Sequence, residues 1–346
     1  MDDMRRTGIE VRVPTYNRPV LLKRALESLL ASDFPFWTAI VLDDCPSRSA
    51  KEVALSFRDQ RIVYRANGRR LGGAANIDLA FTPSPFVSGE FATILEDDNW
   101  FHESHLGIAV KALGRRRVDV LHASIEIWQE TEGGFQNLHY HPYTEWWGDR
   151  ERLIEPLEVA ARALLTYAVS NAAWVWRLGD GVNLQVGPGC TDQWIQETLR
   201  GLLIEEPFLF LPAPTVYVSW PLTPPKRAGG GRLLNARYQA LYMALANRFG
   251  DRVFEEATML ALRHARTDAL NHAIIRSLRV GRFTQIDWTR QNLILLGKSI
   301  VLRVMSLLEP KYRFSVANEI MKRQSNAAFS HVLIQLVLPL ALIFVA

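Results

Sequence analysis

Three mainly apolar runs in the first hundred residues each end in a cluster of polar residues. The runs cover residues 9–13, 39–42 and 91–95. Short apolar runs bounded by turn residues are typical of buried strands. Between the first two runs, leucine and alanine recur at helical spacing over residues 20–31. A strand, a helix and a second strand in so short a stretch predict a right-handed βαβ unit, and therefore a parallel sheet.

The polar clusters after these runs are expected to share one edge of the sheet, because the carboxyl ends of parallel strands lie together. They are Pro-Thr-Tyr-Asn-Arg at 14–18, Asp-Asp-Cys-Pro-Ser at 43–47 and Glu-Asp-Asp-Asn at 96–99. Three consecutive carboxylates at such an edge repel one another unless a cation or a hydroxyl-rich ligand meets them. The alternative is a solvated turn that contains Asn99.

Four motifs, in this order, resemble those of the family-2 glycosyltransferases of the GT-A type. Residues 14–18 match the opening motif, Asp43-Asp44 stands at the family's "VDDGS" turn, and residues 96–99 stand in place of its metal-binding "DXD". Residues 189–194, Gly-Cys-Thr-Asp-Gln-Trp, are similar to the motif that carries the catalytic base. The resemblance implies an α/β fold, with a Rossmann-like mixed, mostly parallel sheet flanked by helices.

The resemblance also implies a role for individual residues. Those implied to hold the nucleotide base of the donor, usually uracil, are Pro14, Thr15, Tyr16, Asn17 and Asp44. Asp97 would lie near the ribose, and Asp98 would bind Mg²⁺ or Mn²⁺, which neutralises the departing diphosphate. Asp192 would take the proton from the acceptor hydroxyl as general base. A single displacement of this kind inverts the anomeric centre.

Simpler explanations of several of these residues stay open. Asp43 and Asp44, which precede Pro46, are also typical of a plain turn. Asp192 suits the N-cap of a following helix, a role compatible with catalysis. Pro14 is also compatible with the end of an edge strand.

One position departs from the family pattern. Many relatives carry an arginine immediately before the asparagine at 76, where this chain has Ala75. Arg69 or Arg70 is a candidate replacement, although two arginines on a loop are more often a solvated patch. The glycine pair that follows them lacks the G-x-G-x-x-G spacing, so a nicotinamide cofactor is not expected.

The middle of the chain is rich in aromatic residues and histidine. Residues 118–127 read as a strand. Trp146 and Trp147 are candidates to stack on an acceptor sugar, and packing in the core is an equal alternative. His139 and His141 alternate as on one face of a strand, but no third ligand completes a zinc set.

Charge divides the chain into two parts. Residues 226–346 carry 18 Lys and Arg against 7 Asp and Glu, whereas the remainder carries 22 against 29. We therefore expect a catalytic domain over residues 1–222, with a donor half at about 9–106 and an acceptor half at 107–222. A basic α-helical extension, residues 223–346, follows it.

Two features bear on localisation. Two cysteines and an N-terminus without an apolar leader favour a cytoplasmic protein. Residues 332–346 are apolar except for Gln335, and basic helices beside such a tail suit peripheral contact with the inner face of the membrane. Packing of the tail on the body or on a partner is the alternative. Nucleic acid is not expected, because no binding motif accompanies the basic charge.

The segment 224–232 joins prolines, three glycines and three cations. Lys226 and Arg227 would close over the donor diphosphate if this segment is a lid. A flexible linker is the alternative.

The resemblance to family-2 glycosyltransferases implies an inverting, metal-dependent glycosyltransferase. It would move a sugar from a nucleotide-diphosphate donor, UDP-linked, to a saccharide or lipid-linked acceptor in surface polysaccharide or glycoconjugate synthesis. Processive synthesis is not expected, because the Q-x-x-R-W signature of processive synthases is missing. A sugar nucleotidyltransferase would need a glycine-rich, lysine-bearing signature that residues 14–18 do not supply. A non-catalytic nucleotide-sugar-binding protein is the remaining alternative. The presence of both Asp98 and Asp192 argues against it.

Overall fold

The computed structural model describes residues 8–165, 169–188, 190, 193–222, 245, 248–250 and 252–263. The candidate base Asp192, the candidate lid residues Lys226 and Arg227, and the apolar run 332–346 lie outside the described residues.

The described residues form a mixed sheet with helices on both faces. The strands are β1 (Ile9–Thr15), β2 (Trp37–Asp43), β3 (Ile62–Ala66), β4 (Phe91–Ile94), β5 (Trp100–Phe101), β6 (Val120–Thr131), β7 (Gly134–Asn137), β8 (Arg152–Ile154), β9 (Trp174–Arg177) and β10 (Phe208–Trp220). The helices are α1 (Pro19–Leu30), α2 (Lys51–Ser56), α3 (Gly73–Ala80), α4 (His105–Arg116), α5 (Thr144–Trp147), α6 (Pro156–Leu165), α7 (Gln193–Leu202) and α8 (Arg252–Arg263), with a 3-10 helix at Asn171–Ala173.

The sheet order is β3-β2-β1-β4-β9-β6-β10-β5, and β7 and β8 pair with β6 and β10. β1 pairs in parallel with β2 and β4, and β2 pairs in parallel with β3. β9 runs antiparallel to both of its neighbours, so β6 and β10 again point the same way as β1. The predicted α/β class, the βαβ start and the mixed, mostly parallel sheet are confirmed.

Helix α1 forms because its apolar residues lie on one face. Pro19 occupies the first helical position, where a missing N–H costs nothing. The residues buried against the sheet recur at helical spacing and are Leu22, Ala25, Leu26 and Leu29. The opposite side carries an exposed ion pair between Lys23 and Glu27. This amphipathic helix fixes the direction in which the chain returns to β2.

The central strand β1 buries a charged pair as well as apolar residues. Glu10 and Arg12 are both fully buried, and Arg12 Nη2 lies 2.8 Å from Glu10 Oε2. The remaining atoms are satisfied by the main chain of a covering loop. Arg12 Nη1 donates to Ala80 O at 3.0 Å, and Glu10 accepts from the N–H groups of Phe86 and Val87. A buried pair is tolerated only with such complete hydrogen bonding.

The second half of the sheet is packed by aromatic rings. The Trp147 ring lies 5.7 Å from His122 and 5.6 Å from Phe208. Trp146 and Trp147 are 5% and 3% exposed, so they belong to the core and the acceptor-stacking interpretation is wrong. His139 lies outside any strand with φ of 50°, so the expected shared strand face with His141 is wrong too.

Part of the predicted extension packs on the sheet domain. Helix α8 contacts α6 and buries Val253, Phe254, Ala257 and Leu260. Arg248 donates to the main-chain oxygen of Leu202 at the end of α7. Within the part of the chain that the structure describes, no helix is both long and apolar enough to cross a membrane.

Candidate active site

The three polar clusters lie side by side at one edge of the sheet. The ends of β1 and β2 are in register at Thr15 and Asp43, and Asp44 N donates to Thr15 O at 3.0 Å. On the other side of β1, pairing with β4 ends at Ile94, immediately before the acidic cluster. The predicted juxtaposition of the clusters is therefore present.

Pro14 explains where β1 and β4 part. Because Thr15 O accepts from β2, the nitrogen of Pro14 faces β4. The last hydrogen bond there runs from Leu95 N to Arg12 O, and proline has no N–H to continue the ladder. β1 lies between two strands, so the edge-strand explanation of Pro14 is wrong. The proline instead leaves the acidic cluster free to separate from the sheet.

Asp43 holds the turn that follows β2. Its carboxylate is buried and accepts from Cys45 N at 2.9 Å, from Ala50 N at 3.2 Å and from Tyr64 Oη at 3.0 Å. Burial and this hydrogen bond raise the pKa of Tyr64 to about 12. The turn explanation therefore describes Asp43 well.

Asp44 holds a second loop, which leads into α3. Its Oδ1 accepts from Asn67 Nδ2 at 2.9 Å and from Leu71 N at 2.7 Å, and its Oδ2 accepts from Gly72 N at 2.8 Å. Gly72 has φ of 89°, a conformation that favours glycine. A carboxylate has about four acceptor positions, so Asp44 retains one on Oδ2 for a ligand.

The exposed part of the opening motif lies beside this loop. The guanidinium of Arg70 is 4.7 Å from the ring centroid of Tyr16, which is 39% exposed. Asn17 has φ of 53° and turns the chain from β1 into α1. Of the two arginines that are candidates to replace the one absent at Ala75, Arg70 contacts a predicted donor-binding residue.

Asp97 and Asp98 lie where β1 and β4 diverge. Asp97 is 4% exposed and accepts from Thr15 Oγ1 at 2.7 Å. Arg18 Nη1 lies 3.1 Å from Asp97 Oδ1 and 2.8 Å from Asp98 Oδ2. Burial and the charge of Asp98 outweigh Arg18 and raise the pKa of Asp97 to about 6. Arg24 Nη2 donates to the main-chain oxygen of Asp98.

Glu96 belongs to a different cluster from its two acidic neighbours. It accepts from Asn99 Nδ2 at 3.1 Å, and its pKa is raised well above the ordinary value by burial and by the charge of Glu197. Glu197 accepts from Asn171 Nδ2 at 3.1 Å, and burial raises its pKa to about 7. This pair of carboxylates lies on the α7 side of the acidic cluster.

Sequence reasoning missed Glu197 and the buried Arg200 one turn further on. Arg200 Nη2 lies 3.2 Å from Asp78 Oδ1, and Arg200 also donates to Asn171. Asp78 is on α3, so this ion pair ties α7 to the donor half. Helical periodicity after position 192 would have placed residues 193 and 197 on one face. The side chain of Gln193 lies against Gly73, and a Cβ atom at position 73 would clash with it.

Asp98 is the candidate ligand for a divalent cation, with a side chain that is 34% exposed. Among the described residues, no group of three or more His, Cys, Asp or Glu side chains could hold a metal ion alone. Mg²⁺ and Mn²⁺ prefer oxygen ligands, and Mg²⁺ commonly takes one or two carboxylates together with water and phosphate oxygens. The donor atoms present therefore fit a cation shared with a bound diphosphate.

A family model described as Glycosyl transferase family 2 matches residues 10–164. This part of the chain is therefore similar to the family-2 glycosyl transferases. The match begins in β1 and ends in α6, so it includes all three polar clusters at the sheet edge.

Two curated relatives each match about a quarter to a third of the chain. A GalNAc(5)-diNAcBac-PP-undecaprenol beta-1,3-glucosyltransferase of Campylobacter jejuni is 37% identical over 94 residues, which is 26% of this chain and 29% of that protein. A UDP-Glc:alpha-D-GlcNAc-diphosphoundecaprenol beta-1,3-glucosyltransferase of Escherichia coli is 23% identical over 119 residues, 34% of this chain and 46% of that protein. The matches thus span less than half the length of either relative.

Solved structures extend the likeness to nearly the whole chain. Residues 1–349 of S. aureus TarS in complex with UDP superpose with a TM-score of 0.55 at 15% identity, covering 93% of both chains. The same protein in complex with UDP-GlcNAc gives a TM-score of 0.51 at 13% identity with the same coverage. At such low identity the likeness shows the fold alone, and that fold is GT-A.

Proposed function

We propose that this chain is an inverting, metal-dependent glycosyltransferase that uses a UDP-sugar. The proposal is carried by one observation. At the carboxyl edge of a family-2 domain, Thr15 and Arg18 hold Asp97 inside the protein while Asp98 stays partly exposed. A buried carboxylate beside an exposed one suits a site where one acid orients the donor and the other meets a cation.

The donor would lie across the ends of β1 and β2. Asp44 retains an acceptor position for a base N–H, and the exposed turn of Tyr16 and Asn17 flanks it, after Pro14 and Thr15. Asp97 would approach the ribose. UDP and UDP-GlcNAc are the molecules bound in the TarS complexes, which supports a uridine donor for this fold.

The diphosphate would extend from there towards Asp98. A divalent cation, Mg²⁺ or Mn²⁺, held at Asp98 would supply the positive charge that stabilises the departing diphosphate. Asp192 would accept the proton from the acceptor hydroxyl as that oxygen attacks the anomeric carbon. Lys226 and Arg227 would close over the phosphates from the segment that follows β10.

The acceptor is proposed to be a saccharide or a lipid-linked saccharide. Both curated relatives are named for undecaprenol-linked substrates, which supports this class. Peripheral contact with the membrane, through the apolar run 332–346, would bring the site to such an acceptor.

The test is a transfer assay with a panel of UDP-sugars and undecaprenyl-diphosphate-linked acceptors, followed by NMR of the new anomeric centre. The proposal expects inversion, dependence on Mn²⁺ or Mg²⁺, and loss of transfer in Asp98→Asn. Asp180→Asn is a matched control, because Asp180 is exposed and follows β9 at the opposite edge of the sheet. Donor binding without transfer or hydrolysis would favour a non-catalytic binding protein, and retention at the anomeric centre would exclude the single displacement.

A further inference from the structure

Arg18 lies between the two carboxylates that a divalent cation would approach. A single nitrogen, Nη1, is 3.1 Å from Asp97 Oδ1 and 2.8 Å from Asp98 Oδ2. It neutralises two acids that would otherwise repel each other. A cation bound to Asp98 Oδ2 would take the place of this nitrogen, so the guanidinium and the cation exclude one another.

The Arg18 side chain is placed so that it can leave. It is 52% exposed, whereas the Asp97 side chain is 6% exposed. Its main chain is held separately, because Arg18 O accepts from Leu22 N at 3.0 Å in the first turn of α1. Its pair with Asp98 is exposed, and exposed ion pairs of long side chains are weak, since water solvates both partners. The side chain can therefore swing away without disturbing the helix.

The two acids have supports that do not depend on Arg18. Thr15 Oγ1 donates to Asp97, and Arg24 holds the main-chain oxygen of Asp98. The Arg24 guanidinium is itself fixed over the rings of Trp100 and Phe135, at 4.3 and 4.1 Å from their centroids. The carboxylates would therefore keep their places when Arg18 moves.

We propose that Arg18 is a built-in counter-ion that competes with the divalent cation for Asp98. This inference rests on the proposed function, from which it takes the cation. In the donor-free protein the cation binds weakly, because it must displace the guanidinium. A bound diphosphate favours the exchange, since it offers the released guanidinium another anion with matching geometry.

The experiment measures Mn²⁺ binding to the donor-free protein by the loss of the free Mn²⁺ signal in electron paramagnetic resonance. Arg18→Ala should bind Mn²⁺ about three- to tenfold more tightly than the wild type, the scale expected for removing one exposed ion pair with Asp98. Lys23→Ala is the matched control, because Lys23 lies in α1, which begins directly after Arg18, is 60% exposed and pairs with Glu27. It removes the same charge and should leave Mn²⁺ affinity unchanged.

Two further variants locate the effect. Arg18→Gln keeps most of the side-chain length and should also tighten Mn²⁺ binding, whereas Asp98→Asn added to Arg18→Ala should abolish the gain. Equal Mn²⁺ affinity in the wild type and both Arg18 variants, with thermal unfolding unchanged, would overturn the counter-ion while leaving the proposed function standing. Absence of Mn²⁺ binding in every protein, even with UDP, would overturn both.

Discussion

Asp43-Asp44 and Asp97-Asp98 are two acid pairs at the ends of strands in one sheet, but their carboxylates have different kinds of partners. The first pair accepts hydrogen bonds from the turn that follows β2 and from the loop that follows β3, mostly from main-chain N–H groups. The second pair is held by one hydroxyl and by an exposed arginine side chain. Main-chain donors cannot leave a carboxylate without unfolding a turn, whereas a long exposed side chain can. The carboxylates of Asp43 and Asp44 are therefore fixed in place by the backbone, whereas Asp98 can exchange its arginine partner for a cation.

We expect the largest effect from Asp98→Asn. This substitution replaces the negatively charged carboxylate that would bind the cation. Donor turnover should fall by about 10²- to 10³-fold, because a bound cation contributes several kcal/mol of charge stabilisation. The melting temperature should stay nearly unchanged. UDP release from the donor and thermal unfolding measure the two effects. Turnover near the wild-type rate would remove Asp98 from the cation site.

Asp43→Ala should show the opposite behaviour. It leaves the N–H groups of Cys45 and Ala50 and the hydroxyl of Tyr64 without their acceptor. We expect the free energy of unfolding to fall by about 2–3 kcal/mol, because buried donors without partners are costly. Urea unfolding measures this. Asp180→Ala, an exposed control, should change stability by less than about 0.5 kcal/mol.

The pH dependence of stability sharpens the contrast at Asp97. Its pKa of about 6 lies above the unfolded value of about 3.9, so the folded state binds this proton more tightly. This group therefore stabilises the fold below about pH 4, and that contribution is lost as pH rises through about 6. Asp97→Asn removes this pH-dependent contribution. The free energy of unfolding of the variant minus that of the wild type should therefore be about 1–2 kcal/mol larger at pH 7 than at pH 4.5.

Urea unfolding of the wild type and Asp97→Asn at both pH values checks this. Asp59→Asn is a useful control, because Arg61 lowers the pKa of Asp59 and the contribution of that group has the opposite sign. An Asp97 variant with the same pH profile as the wild type would contradict a raised pKa at this buried carboxylate.

The smallest effect is expected at the loop that Asp44 holds. Arg70→Ala removes a guanidinium that lies over Tyr16, and UDP affinity should fall by about two- to fivefold, the scale of an exposed cation–π contact. Arg69→Ala should leave UDP affinity unchanged. Isothermal titration calorimetry distinguishes them, and equal effects of both variants would favour a general charge contribution.

The adjacency of the three strand-end clusters could be predicted because it needs only local patterns. Short apolar runs mark strands, and parallel strands bring their carboxyl ends to one edge. The division of labour within that edge could not be predicted. Asp43 and Asp97 follow similar runs, and the donors that distinguish them come from residues 50, 64 and 18, whose approach depends on packing.

Contacts between distant segments limited the rest of the prediction. The alternating charges Glu10 and Arg12 are typical of a solvent-facing strand, but a loop far along the chain covers them. Glu197 and Asn171 meet only when α7 packs on α3 beside β4. Trp146 and Trp147 carry no sequence signal that separates a sugar contact from a core position, and burial places them in the core.

The most direct test of the account is thermal unfolding of the wild type and Asp98→Asn with UDP, in the presence and absence of Mn²⁺. We expect UDP to stabilise the wild type strongly only with Mn²⁺. The stabilisation should be about 2.7 kcal/mol at a UDP concentration of a hundred times the dissociation constant. The Asp98 variant should lose the part that depends on Mn²⁺. Equal stabilisation of both proteins by UDP, with or without Mn²⁺, would contradict a cation shared between Asp98 and the diphosphate.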